Sequence, residues 1–462
     1  MSLKFQNTLS KSKEEFVPIN PEEVLIYTCG PTVNNYAHIG NLRSYVFADV
    51  LKRTLLYYGY QVKHVMNVTD IGILSDDADS GEDKMTMALV REGKELNLKN
   101  MRELAEFYTE KFNEDLEKLN IQPPTNQYFA SDYVTEDIEL VQKLEEKGYT
   151  YQINDGVYFN TGKMPDYAVL IGGKKTSNQD YARIEQNTEK ENPEDFALWK
   201  LSSSIGYESP WGNGFPGWHI ECSALGLKFL GEQLDIHTGG IDLIPIHHTN
   251  EIAQAECATE KKPFVKYWLH SEHIDTSGEK MSKSSGNFLK LNTLIEKGID
   301  PVSYRFWLLM AQYRTKMNFN WEALEASEVA LKRLYRLFLA LGEVVGNVDL
   351  NYQAKFKERI EDDLDTPRAL SLLWILIKDE EISPANRKAT ILDFDRILGL
   401  GFDNIQIDTE EEIPEEILKL VLKREDARIN KDFKKSDELR DEINSLGYEV
   451  KDTNKGQKVL KI

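Results

Sequence analysis

The feature that most constrains this chain lies near its N-terminus. Residues 23–29 carry Val24, Leu25, Ile26 and Tyr27 in a row and run into Gly30-Pro31, the pattern of a buried strand ended by breakers. Residues 41–58 then place Phe47, Leu51, Leu55 and Tyr58 at helical spacing, with Gly59 as a stop, and residues 61–68 resume as a strand. A strand, a helix and a second strand in this order make a right-handed crossover unit, which demands a parallel sheet with helices on its faces. Such sheets bind ligands at the carboxyl ends of their strands. Cys29 and the loop 30–41 fall at that end.

The pattern changes over 112–204. A helical stretch at 134–147 precedes residues 149–159, where Asn154-Asp155-Gly156 is a hairpin turn. This region is expected to be an insertion. Strand and helix patterning returns at 218–230 (helix), 234–238 (strand), 247–259 (helix) and 266–274 (strand), so the sheet is expected to be split. Beyond Trp321 the helical period dominates, over 329–345, 352–378 and 387–398. Residues 403–416 hold seven acidic side chains, no basic one and Pro414, which suits a linker. The expected boundaries are 1–111 and 205–325 for the two halves of the sheet domain, 112–204 for the insertion, 326–402 for a helical bundle, 403–416 for the linker and 417–462 for a small C-terminal domain.

Composition excludes several classes. Hydrophobic residues make up 41% and charged residues 29% of 462, enough to build a core and too apolar for broad disorder. No run approaches the ~18 apolar residues that span a bilayer, and residues 1–23 lack the apolar centre of a secretory signal, so a cytoplasmic protein without a membrane partner is expected. Three cysteines, Cys29, Cys222 and Cys257, cannot form a disulfide framework and read as packed thiols, ligands or nucleophiles. The net charge of −21 opposes indiscriminate binding to polyanions. Residues 417–462 depart from it, with 12 basic against 9 acidic side chains. A polyanionic partner could dock there, although a solvated helical face has the same composition.

No G-x-x-x-x-G-K-[S/T] sequence occurs, so a phosphate loop of that type is excluded. The loop Pro31-Thr-Val-Asn-Asn-Tyr-Ala-His38-Ile-Gly40-Asn41 places His38 near a helix N-terminus, where unpaired backbone donors favour phosphate, and Gly40 allows close approach of a nucleotide. Far downstream, Lys280-Met281-Ser282-Lys283-Ser284 offers two cations and small hydroxyl residues that could clamp a polyphosphate. His247 and Glu251 stand at i and i+4, on one helix face, as two ligands of one ion must. Nothing in the spacing joins Cys29 and Cys222 to them; two buried thiols and a hydrogen-bonded histidine fit equally well.

His38-Ile-Gly-Asn followed by Lys280-Met-Ser-Lys-Ser resembles the paired signature sequences of class I aminoacyl-tRNA synthetases. Tyr27-Thr-Cys-Gly-Pro-Thr-Val33, Asn67-Val-Thr-Asp70, Gly217-Trp-His-Ile-Glu-Cys-Ser223 and His247-His-Thr-Asn-Glu-Ile-Ala-Gln254 are similar, in order and spacing, to the cysteinyl-tRNA synthetase family. Its tail is matched by residues 427–433 and 436–441. The resemblance implies an α/β fold: a Rossmann-like parallel-sheet catalytic domain split by an insertion, then an all-α bundle that binds tRNA, then an anticodon-binding C-terminal domain. It implies one Zn²⁺ held by Cys29, Cys222, His247 and Glu251, with Cys29, Thr69 and Trp218 forming the pocket for L-cysteine. Zinc binds a substrate thiolate far better than a hydroxyl, so serine would be rejected without a proofreading module.

The resemblance further implies ATP, with Mg²⁺, contacted by Gly30, His38, Gly40, Asn41, Gly239, Gly240, Asp242, Lys280, Ser282 and Lys283. His38, Lys280 and Lys283 would carry the catalysis. The carboxylate of cysteine would attack the α-phosphate, expel pyrophosphate and leave an adenylate for the 3′ end of tRNA-Cys. Phe433 is a candidate stacking face for a base, and a monomer is expected. Cys257 reads as core, and His219 as pocket wall or core. The chain departs from the family in the acidic stretch 71–84 and at Ile246 and Thr249. Two other functions share some of these features: a cysteine ligase of the mycothiol type acting on a small amine, and an inactive zinc protein that binds RNA. The first has no use for a tail like 417–462, and the second none for His38, Lys280 and Lys283.

Overall fold

Parallel strands buried on both faces are built from continuous apolar runs rather than alternating ones. In a computed structural model, which describes residues 2–72, 83–173, 187–276, 279–280, 288–405, 414–429, 432–453 and 456–461, five parallel strands form one sheet, of which Glu23–Thr28 comes nearest to such a run and the edge strand Asn126–Phe129 has no buried residue. They are β1 (Glu23–Thr28), β2 (Gln61–Val68), β3 (Asn126–Phe129), β4 (Leu234–Gly240) and β5 (Val265–Ser271), all parallel, in the order β5-β4-β1-β2-β3. Helix α1 (Ile39–Tyr57) is the crossover from β1 to β2, and its sequence fits the task because Leu42, Val46, Val50 and Leu51 are buried. Helices α2 (Trp218–Leu230) and α3 (Thr249–Thr259) flank β4 in sequence and add to the same core as β1 and β4.

Register decides what the carboxyl end of the sheet presents. Residue His237 of β4 stands opposite Tyr27 of β1 on one side and Trp268 of β5 on the other. Successive side chains alternate faces, so this row places three rings side by side. His237 stacks on Trp268 with centroids 4.6 Å apart, and Tyr27 lies 5.0 Å from His237.

An antiparallel sheet of four strands, Thr150–Ile153, Gly156–Phe159, Phe196–Leu201 and Gly214–Pro216, has its first three strands in the expected insertion and its fourth beyond it. The boundary drawn at residue 112 falls inside the helix Leu98–Lys118, and β3 beyond it pairs with β2. That drawn at 204 falls between two strands that pair with each other. Expected helical stretch 352–378 is two helices, Leu350–Ile360 and Thr366–Leu376. Between them Asp363 and Leu364 take φ of 61° and 55°. A tertiary contact holds the break: the Asp363 carboxylate accepts from Gln6 N, Tyr313 Oη and Arg314 Nε, 2.7–2.9 Å away.

The chain divides into two units, 1–403 and 404–462. The second packs helices Glu415–Ile429 and Phe433–Ser445 and the hairpin Tyr448–Thr453/Gly456–Lys461 on Ile417, Leu420, Leu439 and Ile443. Phe433 is 62% exposed. Residues 406–413 of the acidic linker and 73–82 of the acidic stretch lie outside the described residues. Among the described residues, no helix is long and apolar enough to cross a membrane.

Candidate functional site

Cys29 follows directly from β1, at the end where the strand order brings β4 alongside. It is half-buried. Cys222 projects from the second turn of α2, while His247 lies in a short π-helical turn (Ile244–His248) and Glu251 in the first turn of α3; all three are buried. One ligand atom from each of these four residues lies within 4.8 Å of the others. Tetrahedral zinc sets sulfur and nitrogen ligands ~2.0–2.3 Å from the ion, hence roughly 3.3–3.8 Å from each other. The quartet needs only small side-chain movements to reach that spacing.

A second set, Cys29, His237, His248 and Glu251, satisfies the same distance. The chemistry favours the first. A ligating histidine gives one ring nitrogen to the metal and bonds its other nitrogen to a partner. His247 does this, with Nε2 3.0 Å from Glu251 Oε1 and Nδ1 2.9 Å from His219 Nδ1. His237 Nε2 sits 2.8 Å from Glu251 Oε2, but its buried Nδ1 has no hydrogen-bond partner among the described residues. His237 therefore anchors the carboxylate, and His248, with Nε2 3.3 Å from Cys29 Sγ, flanks the thiol. The first set also supplies two sulfurs, the softer donors.

The electrostatics belong to a site that concentrates negative charge. Burial opposes ionisation throughout, yet His237 and then His247 bring the Glu251 carboxyl down to about 2. Against the same desolvation, Glu251 and Cys222 raise His247 to about 10. Burial would raise the Cys222 thiol too, but the hydrogen bond from Cys29 and the charge of His247 bring it down to about 6. Cys29 goes the other way, well above the usual thiol range, through burial and then the neighbouring Cys222 and Glu251. Two thiols and a carboxylate that cannot all ionise alone are what a divalent cation relieves.

Around this quartet the remaining expected residues take distinct positions. Trp218, first residue of α2, packs its ring 4.5 Å from that of His247. Thr69 follows β2; its hydroxyl accepts from Asn67 Nδ2 at 2.8 Å, and Asn67 Oδ1 accepts from Gly30 N at 2.7 Å. Gly30 is required there, since a Cβ would stand 1.6 Å from Asn67 O. His38 is the N-cap of α1: its Nδ1 accepts from Asn41 N at 3.1 Å while Asn41 Oδ1 accepts from His38 N at 3.4 Å. Accepting at Nδ1 puts the proton of the neutral ring on Nε2. Gly40 lies in the first turn.

Gly239 and Gly240, expected to contact ATP just beyond the strand 234–238, are the last two residues of β4 itself. A Cβ on Gly239 would stand 2.7 Å from His248 Cε1, so this glycine makes room for the histidine cluster. Asp242 is exposed, 4.0 Å from His273. Lys280 is described for its backbone, paired with Asp275, and Ser282 and Lys283 lie outside the described residues. The segment after them is docked: Ile39 N donates to Leu289 O at 2.8 Å, and Lys290 Nζ lies 3.8 Å from the Tyr36 ring. Cys257 is buried core. Sequence reasoning passed over His237 as a ring beside the metal candidates, and also His248, His270 and Asn67. Only pairing between distant strands brings them together.

Comparisons with known proteins bear on the family and the fold. Residues 15–329 match the model of the class I tRNA synthetase (C) catalytic domain, and residues 410–459 that of the cysteinyl-tRNA ligase anticodon binding domain. A cysteine–tRNA ligase of Treponema denticola is 42% identical over 98% of both chains, and cysteine–tRNA ligase 1 of Burkholderia lata is 41% identical over 100% of this chain and 97% of its own. Among solved structures, an Agrobacterium radiobacter LeuRS–tRNA–LeuAMS complex aligns with TM-score 0.61 at 11% identity, covering 83% of this chain and 84% of its own. Mycobacterium tuberculosis methionyl-tRNA synthetase with methionyl-adenylate aligns with TM-score 0.57 at 16% identity, over 82% and 90%. These two establish the fold alone. The chain belongs to the cysteine–tRNA ligase family of class I aminoacyl-tRNA synthetases.

Proposed function

We propose that the chain activates L-cysteine with ATP and transfers it to the 3′ end of tRNA-Cys, selecting the amino acid by its sulfur. The observation that carries this reading is the buried quartet of Cys29, Cys222, His247 and Glu251, with ligand atoms within 4.8 Å at the carboxyl end of β1. These residues fit one Zn²⁺, which when bound takes a substrate thiolate in preference to a hydroxyl. Cys29, the one half-buried member, marks the open side, and Thr69 and Trp218 are assigned to the pocket for the amino acid.

The chain's own groups position ATP. Gly30, Gly40, Asn41, Gly239, Gly240 and Asp242 receive the nucleotide along the strand ends, and His38 offers its Nε2–H to the α-phosphate. An oxygen of the cysteine carboxylate forms the new bond to the α-phosphorus as the bond to the bridging oxygen breaks, and the electron pair leaves with pyrophosphate. Lys280, Ser282, Lys283 and the Mg²⁺ that accompanies ATP meet the charge on the departing group. The ribose hydroxyl of tRNA then displaces AMP from the carbonyl. In this reading the interrupted sheet domain binds the small substrates, the bundle 326–402 contacts tRNA, 403–416 links and 417–462 reads the anticodon. The protein works as a monomer in the cytoplasm.

Cysteine-dependent ATP–pyrophosphate exchange tests the assignment. Exchange with cysteine, none with serine, and loss on Lys283→Ala or chelation are expected. Exchange indifferent to cysteine overturns the reading. Charging of tRNA-Cys separates it from ligation to a small amine, for which an anticodon domain has no purpose.

A further inference from the structure

Behind Cys29 a single file of hydrogen bonds leads out of the site to the N-terminal hairpin. His248 Nε2 is 3.3 Å from Cys29 Sγ, His248 Nδ1 is 2.7 Å from His270 Nε2, and His270 Nδ1 is 2.7 Å from Thr8 Oγ1. Each contact holds one proton, and a neutral imidazole carries one N–H. Both rings are buried against Trp268, with centroids 4.9 and 6.3 Å away, where a charged imidazolium would be stripped of water.

The direction of the file follows from its inner end. A metal-bound Cys29 is a thiolate and has no proton to give, so His248 Nε2–H donates to the sulfur. His248 Nδ1 is then bare and accepts from His270 Nε2–H. His270 Nδ1 is bare in turn and accepts from the Thr8 hydroxyl, which always carries a proton to donate.

Thr8 is fixed for this role. Its backbone N donates to Trp268 O at 2.9 Å, and the adjacent Asn7 bonds Trp268 N and Lys266 O at 3.0 and 2.9 Å. The hairpin Lys4–Asn7/Ser12–Glu15 thus lies along β5, and Thr8 stands outside residues 15–329 matched by the catalytic-domain model.

We propose that Thr8 is a positioning residue for the metal centre: its hydroxyl sets the tautomers of His270 and His248 so that an N–H points at Cys29 sulfur. This inference rests on the metal reading above. An N–H bonded to the thiolate stabilises it and leaves its remaining lone pairs for the ion. Groups bonded to metal ligands in this way commonly alter affinity about 10- to 100-fold when removed.

Thr8→Val keeps the shape and loses the O–H; Thr8→Ser keeps it. With the full-length protein, chelator competition is expected to show zinc held about tenfold more weakly by Thr8→Val, with Thr8→Ser like wild type. In the Co²⁺-loaded protein, the thiolate-to-cobalt absorption shifts in Thr8→Val and not in Thr8→Ser. His270→Phe, which keeps a ring without nitrogens, repeats the shift should Thr8→Val fold poorly. Equal affinity and identical spectra in wild type, Thr8→Val and His270→Phe overturn the proposal. A wild type that binds neither zinc nor cobalt overturns the metal reading instead.

Discussion

Asp49 and Arg305 meet at 2.6 Å across 256 residues of sequence, with both side chains shut off from water. The guanidinium also donates to Leu398 O and Leu119 O, 2.8 and 3.1 Å away, so it ties α1 to the helices Pro301–Leu309, Leu98–Lys118 and Pro384–Leu398. Asp49 Oδ2 also takes Arg53 Nε at 2.8 Å, so Asp49→Asn leaves two buried guanidinium groups without their carboxylate, and breaking a buried pair in this way costs about 3–5 kcal/mol. Asp49→Asn should lower the unfolding free energy of the first unit in urea by about that much, and Arg305→Ala, which leaves Asp49 its Arg53 partner, by less. Asp49→Asn combined with Arg305→Leu should recover part of the loss of Asp49→Asn, because one guanidinium, that of Arg53, is then left without its carboxylate instead of two. A single variant no less stable than wild type contradicts this.

His64 gives the protein an acid limb. It lies buried in β2 with Nε2 2.9 Å from Thr28 Oγ1, and burial, followed by the charge of Lys52, brings it down to about 3. In the unfolded chain it titrates near ~6.5, so between these values the unfolded state binds the extra proton. Stability contributed by the neutral ring is present above pH ~6.5 and is lost as pH falls toward 3, at up to roughly 1.4 kcal/mol per unit. His64→Gln keeps a polar group near Thr28 and cannot titrate. Its unfolding midpoint should fall less than that of wild type between pH 7 and 5; equal slopes contradict the account.

Gly30→Ala should disturb the site from one atom. The added Cβ would stand 1.6 Å from Asn67 O, a backbone atom of β2 that cannot step aside, so the loop carrying Cys29 must move. Misplacement by about 1 Å commonly costs on the order of 100-fold in rate. Cysteine-dependent exchange should fall at least that far with the fold retained by circular dichroism. Activity within a few-fold of wild type refutes the close packing.

Glu251→Gln should preserve shape but lose the charge and one of the two acceptor oxygens, Oε2 and Oε1, that His237 and His247 address at 2.8 and 3.0 Å. Zinc content after dialysis against a mild chelator should drop well below that of wild type. Cys222→Ser should do the same, and full retention in both variants would remove these residues from the site.

How much was legible in the sequence depends on how local the cause is. The run from β1 through α1 to β2 was readable because breakers and helical spacing bound each element within a few residues. His247 and Glu251 could be paired for the same reason, being one helical turn apart. The break at Asp363 was not readable, since Gln6 and Tyr313 hold it from far along the chain. Nor was the histidine cluster: Tyr27, His237 and Trp268 share a row only because β1, β4 and β5 pair in one register, and no local period reports which strands become neighbours. Cys29 and Cys222 joined the quartet through family resemblance first, and the fold then supplied the proximity.

X-ray absorption at the zinc edge of the purified protein, without and with L-cysteine, addresses sulfur recognition most directly. The account predicts two sulfur neighbours from Cys29 and Cys222, rising to three with cysteine and staying at two with serine. An unchanged sulfur count in the cysteine-saturated protein would contradict it.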